Sequence, residues 1–514
     1  MKSRLALAGF LAGFAIILGA GPASAHAFGQ RYDLPLPLWM FITGGASAVV
    51  LSFAVIAIFL RHKPEPGIYP TFNLLNNPAG RFCAQPATLT AVRVLFVLVF
   101  LLILLTGFFG VPSPYQNFSV VMVWVIAWVG LAFICSLLGN FWALINPWNA
   151  IFAWAEALYR KLSDGKELSR RRPLPEGWGT WPAFIFFLIF AWMEITWPAS
   201  SVPGNVATAI TVYSLLTWFG MYRHGRERWL SQGEAFSVVF ALFARFAITE
   251  VRVRDAKAVE ADTFHDIESD EAGCVNGYGA FFKADPEARE WNLRPPGLGL
   301  RAGRAPSYSL MFFVLLLLST VTYDGYTETE HFQQLGLLVY KQIQGLTGDT
   351  VLVVETIGIA SFPLLLISVY LLFIVLIGLA GGVPGKIGLL APVFVFSIIP
   401  ISIAYHLSHY LSLLLVEGQI VIGRLSDPFG FGWDLFGTAG YKVDISVISA
   451  KFVWFFSLAA IVVGHMVAVY LAHAEAMRIY DDRGKALRSQ LPMLALMVGY
   501  TMLSLWIIAQ PIML

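Results

Sequence analysis

Four histidines lie inside stretches that are otherwise apolar enough to cross a membrane. His406 and His409 fall in Ala404-Tyr405-His406-Leu407-Ser408-His409-Tyr410, and His465 and His473 in the next hydrophobic segment. Ionisable side chains are costly in hydrocarbon, so an intramembrane one points to function. Spaced three apart on a helix, the first pair projects from one face. The second pair is eight apart, about two turns, and shares a face loosely. Imidazoles placed this way suit a metal, a proton path or a haem.

Carboxylates stand near the same predicted depth. Asp324 follows Thr320-Val321-Thr322-Tyr323 and precedes Gly325, as at a tight turn, and Glu328, Glu330 and His331 come soon after. Glu194 lies in Trp192-Met193-Glu194-Ile195-Thr196-Trp197, and Glu355 near the start of another apolar run. Imidazole and carboxylate together are the ligand set of zinc, manganese and non-haem iron. His406 and His409 would supply two nitrogens from one rigid helix, and a third ligand from elsewhere would leave a position for water. A metal there lowers the water's pKa and delivers a hydroxide nucleophile, with Asp324 or Glu194 as base. His465 is a deeper ligand or a supporting partner. His26, if it begins the mature chain, can chelate a metal through its amine and ring, copper in particular. Against this, a membrane histidine also serves simply to hydrogen-bond across helices, which suits His473 best.

The elements that must position these residues are membrane helices. The 514-residue chain is 57% hydrophobic and 13% charged, against roughly 25% charged in an ordinary soluble domain. Mean hydropathy is +0.69. The composition excludes a soluble enzyme, and no stretch shows the aromatic-basic pattern of a nucleic-acid binder. The three cysteines, Cys83, Cys135 and Cys274, have no metal-type spacing. Lys2 and Arg4, an apolar run and Gly21-Pro22-Ala23-Ser24-Ala25 form a signal-peptide pattern. Cleavage after Ala25 leaves residues 26–514 as one integral-membrane domain.

Segments of about 20 apolar residues are long enough to span. Ten occur, near 37–60, 92–110, 119–139, 181–197, 205–222, 307–323, 351–380, 389–416, 449–474 and 490–510. The expectation is an all-α, polytopic transmembrane bundle. Alternating the loops from an external N-terminus puts 27 of the 34 basic residues on the cytoplasmic side, two in the signal and five outside. That bias predicts an inner-membrane protein of a bacterium with both mature termini periplasmic. It also puts His406, His409, Asp324 and Glu194 towards the periplasmic face. Two apolar segments, 141–158 and 234–248, read as interfacial or re-entrant helices on the cytoplasmic side and are kept as interfacial, because counting either as a span reverses the charge bias. The long loop 222–306 reads as a cytoplasmic connector.

Several of these residues carry a resemblance. The segment His26-Ala27-Phe28-Gly29-Gln30-Arg31-Tyr32-Asp33-Leu34-Pro35-Leu36-Pro37 resembles the mature start of a family of bacterial multi-span proteins known as fenitrothion hydrolases. So do Tyr323-Asp324-Gly325, the His406/His409 segment followed by Glu417-Gly418-Gln419, and Gly464-His465 with Ala472-His473. The resemblance covers most of the mature chain. It implies a membrane-bound hydrolase that cleaves a lipophilic aryl phosphotriester to a dialkyl phosphate and a nitrophenol, with a second membrane subunit as a possible partner. The metal would be zinc, manganese, iron or copper. A lipophilic substrate would reach the site through the bilayer. Two other classes fit the residues: a secondary transporter moving protons or metal ions, with bent helices at Pro392 and Pro400, and a b-type cytochrome. His406 and His465 match the facing pair of a haem only roughly.

The topology is testable directly. A C-terminal alkaline phosphatase fusion is expected to be active; activity only of a cytoplasmic reporter at that end would reverse the orientation and the depth argument with it.

Overall fold

The computed structural model describes residues 32–60, 69–253, 275–276, 278–301, 305–343 and 349–513. His26, the signal-peptide segment and the acidic stretch around 260–271 lie outside the described residues. Helices occupy all ten predicted segments. In chain order the principal ones are α1 Leu38–Phe59, α2 Pro86–Phe109, α3 Phe118–Leu137, α4 Pro147–Leu162, α5 Trp181–Ile195, α6 Pro203–His224, α7 Ala235–Ala244, α8 Tyr308–Thr327, α9 Glu330–Ile343, α10 Thr350–Ala380, α11 Ile387–Ser426, α12 Ala450–Ile479 and α13 Arg483–Met513. Among the described residues eight are long and apolar enough to cross a membrane: α1, α2, α3, α8, α10, α11, α12 and α13. This is the make-up of a membrane protein. Of the other two predicted spans, α5 has only 15 residues, and α6 is long but too polar to qualify.

Burial separates centre from rim. The apolar windows of α8 and α11 are 78% and 83% buried, whereas those of α1, α2 and α10 are 22–28% buried. Helices apolar all round thus divide into two that others surround and three that face outward, with Leu51, Phe59, Leu98 and Leu364 exposed. Helix α8 packs against α5, α10 and α11, and α11 packs against α12. Small residues permit the last contact. A Cβ on Gly464 would lie 2.5 Å from Ala404 Cβ and 2.8 Å from the Pro400 carbonyl. The chain bends within α11, where residues Val395–Ile398 tighten into a 3₁₀ turn between Pro392 and Pro400. Within α3, Met122–Gly130 widen into a π-helix.

The segment 234–248 is buried in the bundle, which suits the re-entrant alternative better than a helix laid on a surface. Helix α7 lies inside the bundle against α3 and α5, with Ala235, Val238, Val239, Phe240, Leu242 and Phe243 all nearly inaccessible. Ten residues span roughly 15 Å, too short to cross a bilayer. Its free ends are therefore held by charge. At the N-terminus the fully buried Glu234 carboxylate accepts from Phe236 N at 2.9 Å and Ser237 N at 2.8 Å, and from the Tyr213 hydroxyl at 2.5 Å. At the C-terminus the Arg294 guanidinium donates to the carbonyls of Ala244, Arg245 and Ala247 at 2.9–3.1 Å. An anion at the start and a cation at the end both complement the helix dipole. In the other short segment, Trp148 on α4 is buried while Leu158 and Leu162 are exposed.

Arg294 belongs to a small antiparallel sheet at the end of α3. Its strands are β1 Phe72–Asn73, β2 Thr249–Val253, β3 Val275–Asn276 and β4 Arg289–Leu293, in the order β1-β4-β2-β3. Ile248 N donates to the Leu137 carbonyl and Thr249 N to the Leu138 carbonyl, both at 3.2 Å. The Glu250 carboxylate holds Arg294, pairs with Arg252 at 3.1 Å and accepts from the Tyr69 hydroxyl at 2.6 Å. Burial pushes the Tyr69 hydroxyl above its ordinary pKa, against the opposing pull of Arg294. The segment 222–306 is thus more than a connector: it contributes α7 to the core and three strands to the sheet.

Because α7 depends on a buried cation, Arg294→Met should destabilise the fold by about 3–5 kcal/mol, the cost of leaving Glu250 and three helix carbonyls without their partner. Thermal unfolding in detergent measures it, and a melting temperature unchanged from wild type would show that the cap does not hold the helix.

Candidate functional site

The predicted residues meet where α3, α5, α8 and α11 come together. Asp324 sits on α8 and His406, His409 and Tyr410 on α11, the two most buried helices. Glu194 is on α5 and His465 on α12. Asp324 does not stand in a turn. Helix α8 continues to Thr327, and Gly325 is a helical residue. The glycine serves close approach instead: a Cβ there would lie 2.7 Å from the Tyr405 hydroxyl of α11.

One carboxylate oxygen organises the site. Asp324 Oδ2 lies 2.9 Å from His409 Nε2 and accepts from the Tyr410 hydroxyl at 2.5 Å. The Asp324 and His409 side chains are 20% and 11% exposed, so this pair is held largely out of solvent. A carboxylate kept so far from water needs such donors, because an unpaired one costs several kcal/mol. Tyr410 adds its ring to its hydroxyl, with centroid 4.7 Å from both His406 and His409.

His406 looks the other way. Its ring, 3% exposed, lies among Trp128 at 5.2 Å, Phe243 at 6.0 Å and Phe133 at 6.3 Å. Its Nε2 has no hydrogen-bond partner. It borders a narrow pocket lined also by Trp128, Glu194, Thr320, Ser402 and Tyr410. The pocket has room for about one water. The structure therefore brings Glu194 and His406 to one pocket, and Asp324 and His409 to one contact beside it, with Tyr410 common to both.

His465 stands apart. Its Nδ1 donates to the Ile461 carbonyl at 2.8 Å, and its ring is 6.0 Å from Tyr500, whose hydroxyl meets that of Thr322. None of these contacts is with His406 or His409. His473 hydrogen-bonds with Gln490 at 2.8 Å and the Leu60 carbonyl at 3.2 Å, a cross-helix role. Glu355 meets α8 through its backbone carbonyl, which accepts from the Tyr323 hydroxyl at 3.0 Å. His331 packs its ring on Trp506 at 5.3 Å.

Metal binding is the expectation that this donor set fits least well. Among the described residues no three His, Cys, Asp or Glu side chains are grouped to hold an ion. His406 and His409 share a helix turn but are directed to different neighbours. A single ion on both would have to draw His409 away from Asp324 or take Asp324 along as a third ligand. Sequence reasoning missed Trp128, Tyr410's donation and Phe243. Trp128 is one indole among 16 tryptophans and carried no spacing signal. Tyr410 stood beside His409 in the same motif and was the more legible of the three.

Comparison of the chain with family models, with curated proteins and with solved structures finds no match in any of the three.

If Asp324 and His409 hold each other in place, their substitutions cannot be independent. Asp324→Ala, His409→Ala and the double variant should show a coupling of about 1–3 kcal/mol in thermal stability. Additive effects within about 0.5 kcal/mol would mean the contact contributes nothing to the fold.

Proposed function

We propose that this chain is a membrane-embedded hydrolase of lipophilic organophosphate triesters of the fenitrothion type, acting near the periplasmic face of a bacterial inner membrane. The observation that carries the proposal is the Asp324–His409–Tyr410 contact set beside a partly lined, largely buried pocket. A carboxylate paired to an imidazole is a proton-handling unit, and such groups are placed in lipid only at cost. Tyr410 lines the pocket and donates its hydroxyl to Asp324. In this reading Asp324 and His409 take up the proton released by an attacking water, and Glu194 supports the reaction from the facing helix. The bilayer supplies the substrate by partition and exposed apolar helices leave a lateral approach. The family resemblance of the His406/His409 and Tyr323-Asp324-Gly325 motifs favours the same activity. A divalent metal on His406 and His409 remains part of the proposal only in a form that recruits Asp324, so no step is drawn through it. The second membrane subunit implied by the resemblance is proposed on the same footing.

A second reading, proton or ion transport, is favoured by one specific feature. Helix α7 ends inside the bundle with Phe243 against His406. Half-crossing helices around a central polar site are how many transporters build their binding sites. The narrowness of the pocket also suits a proton better than a triester unless lining side chains move.

Purified protein in proteoliposomes separates the two. On the hydrolytic reading wild type releases nitrophenol from fenitrothion, and Asp324→Asn lowers turnover about a hundredfold while inserting normally. Absence of turnover together with Asp324-dependent proton flux would transfer the site to transport.

A further inference from the structure

We infer that the pocket between α3, α5 and α11 is a binding site for a single water molecule, held by Trp128, His406 and Glu194 and placed for attack on the ester. The last clause rests on the hydrolytic reading; the water site itself does not.

Two buried polar atoms at this pocket lack partners. Trp128 Nε1 and His406 Nε2 meet no partner at full hydrogen-bond geometry, although their residues are only 6% and 3% exposed, and the Glu194 carboxyl stands beside the indole N–H. Buried polar groups are satisfied by protein or by ordered water in the great majority of cases. Both residues line the same pocket, and the partly buried Glu194 lines it with them. The chemistry of the three groups is complementary to one molecule. The indole N–H can only donate, whereas a carboxylate oxygen and the unprotonated nitrogen of a neutral imidazole accept. A water accepts the indole hydrogen and donates one hydrogen each to Glu194 and His406. That makes three hydrogen bonds, the usual number for a buried water, in a space the size of one.

The backbone at Trp128 is unusual in the same sense. It lies within the π-helix Met122–Gly130, a form that is rare and recurs at functional sites. A π stretch alters the angle at which side chains leave the helix, and here it accompanies an indole packed edge-on against the His406 ring, with an interplanar angle of 82°.

Such a water keeps one lone pair free. In attack its oxygen forms the bond to phosphorus, the aryloxide leaves, and the proton passes to His406 Nε2 or to Glu194. Trp128 is thereby a positioning residue and His406 the first proton acceptor, with Asp324 and His409 reached through Tyr410.

The test is an experimental structure of the full chain at a resolution that shows waters, with turnover measured on the same preparations. Density is expected within about 2.7–3.2 Å of Trp128 Nε1, His406 Nε2 and a Glu194 oxygen. Trp128→Phe, which keeps an aromatic ring but no N–H, should lose the density and lower kcat about tenfold with KM little changed. His406→Gln, which keeps an acceptor there, should retain the density. A wild-type pocket without density, or density unchanged in Trp128→Phe, overturns the site. If density is present but wild type turns over no ester, the hydrolytic reading fails and the water site stands; turnover without density is the reverse.

Discussion

A helix that ends inside an apolar bundle leaves up to four N–H groups and four carbonyls without partners, and no water is at hand to satisfy them. Much of this protein's architecture answers that constraint at α7. Glu234 takes up the first N–H groups and is itself steadied by Tyr213 from α6. Arg294 takes up the last carbonyls and is itself steadied by Glu250 from the sheet. The four-stranded sheet is thus less an appended domain than a mount for one guanidinium. Its short strands would not be stable alone. Helix α7 in turn supplies Phe243 to the wall around His406, so the site's aromatic lining depends on a cation 50 positions beyond the helix it caps.

The hydropathy of the chain made most of the fold legible. Runs such as Leu38–Phe59 and Thr350–Ala380 are apolar all round and long, and nothing but a spanning or wholly buried helix accounts for them. The limits lay where length and polarity conflict. Helix α7 is short and very apolar, and periodicity alone cannot distinguish a buried short helix from an interfacial one. The deciding residues, Glu234 and Arg294, are 60 positions apart and become partners of one helix only after the strands pair. Charge counting by loops treats both as solvated, and both are buried.

The site was legible in its residue types more than in its arrangement. The unusual cost of ionisable groups in apolar segments singled out Asp324, His406 and His409, of which Asp324 and His409 are in contact. Spacing on a helix says that two side chains share a face, but not what each one meets. His409 meets a carboxylate from α8, while His406 meets a cluster of rings from α3 and α7. That division follows from three helices whose mutual depth no local pattern encodes. Gly325 misled for a related reason. A glycine after an aspartate is the usual sign of a turn, yet within a packed bundle the same residue is used to let Tyr405 come close.

The close approaches explain how a carboxylate–imidazole pair is tolerated at all. Its net stability rests on geometry, since the attraction repays desolvation only when distances are short and the remaining lone pairs are occupied. Gly325 permits α8 and α11 to come near enough for Asp324 to reach both His409 and Tyr410, and Gly464 fixes α11 against α12 from behind. Adding a methyl group at either glycine would therefore act on the site without touching it. At Gly464 the clash is with Ala404 Cβ and the Pro400 carbonyl, neither of which can rotate away, so the whole of α11 must shift. At Gly325 the clash is with a tyrosine hydroxyl at the end of a side chain that is itself wholly buried, which leaves it little room to yield. The small residues between the helices hold the carboxylate–imidazole pair together as much as the pair's own hydrogen bonds do.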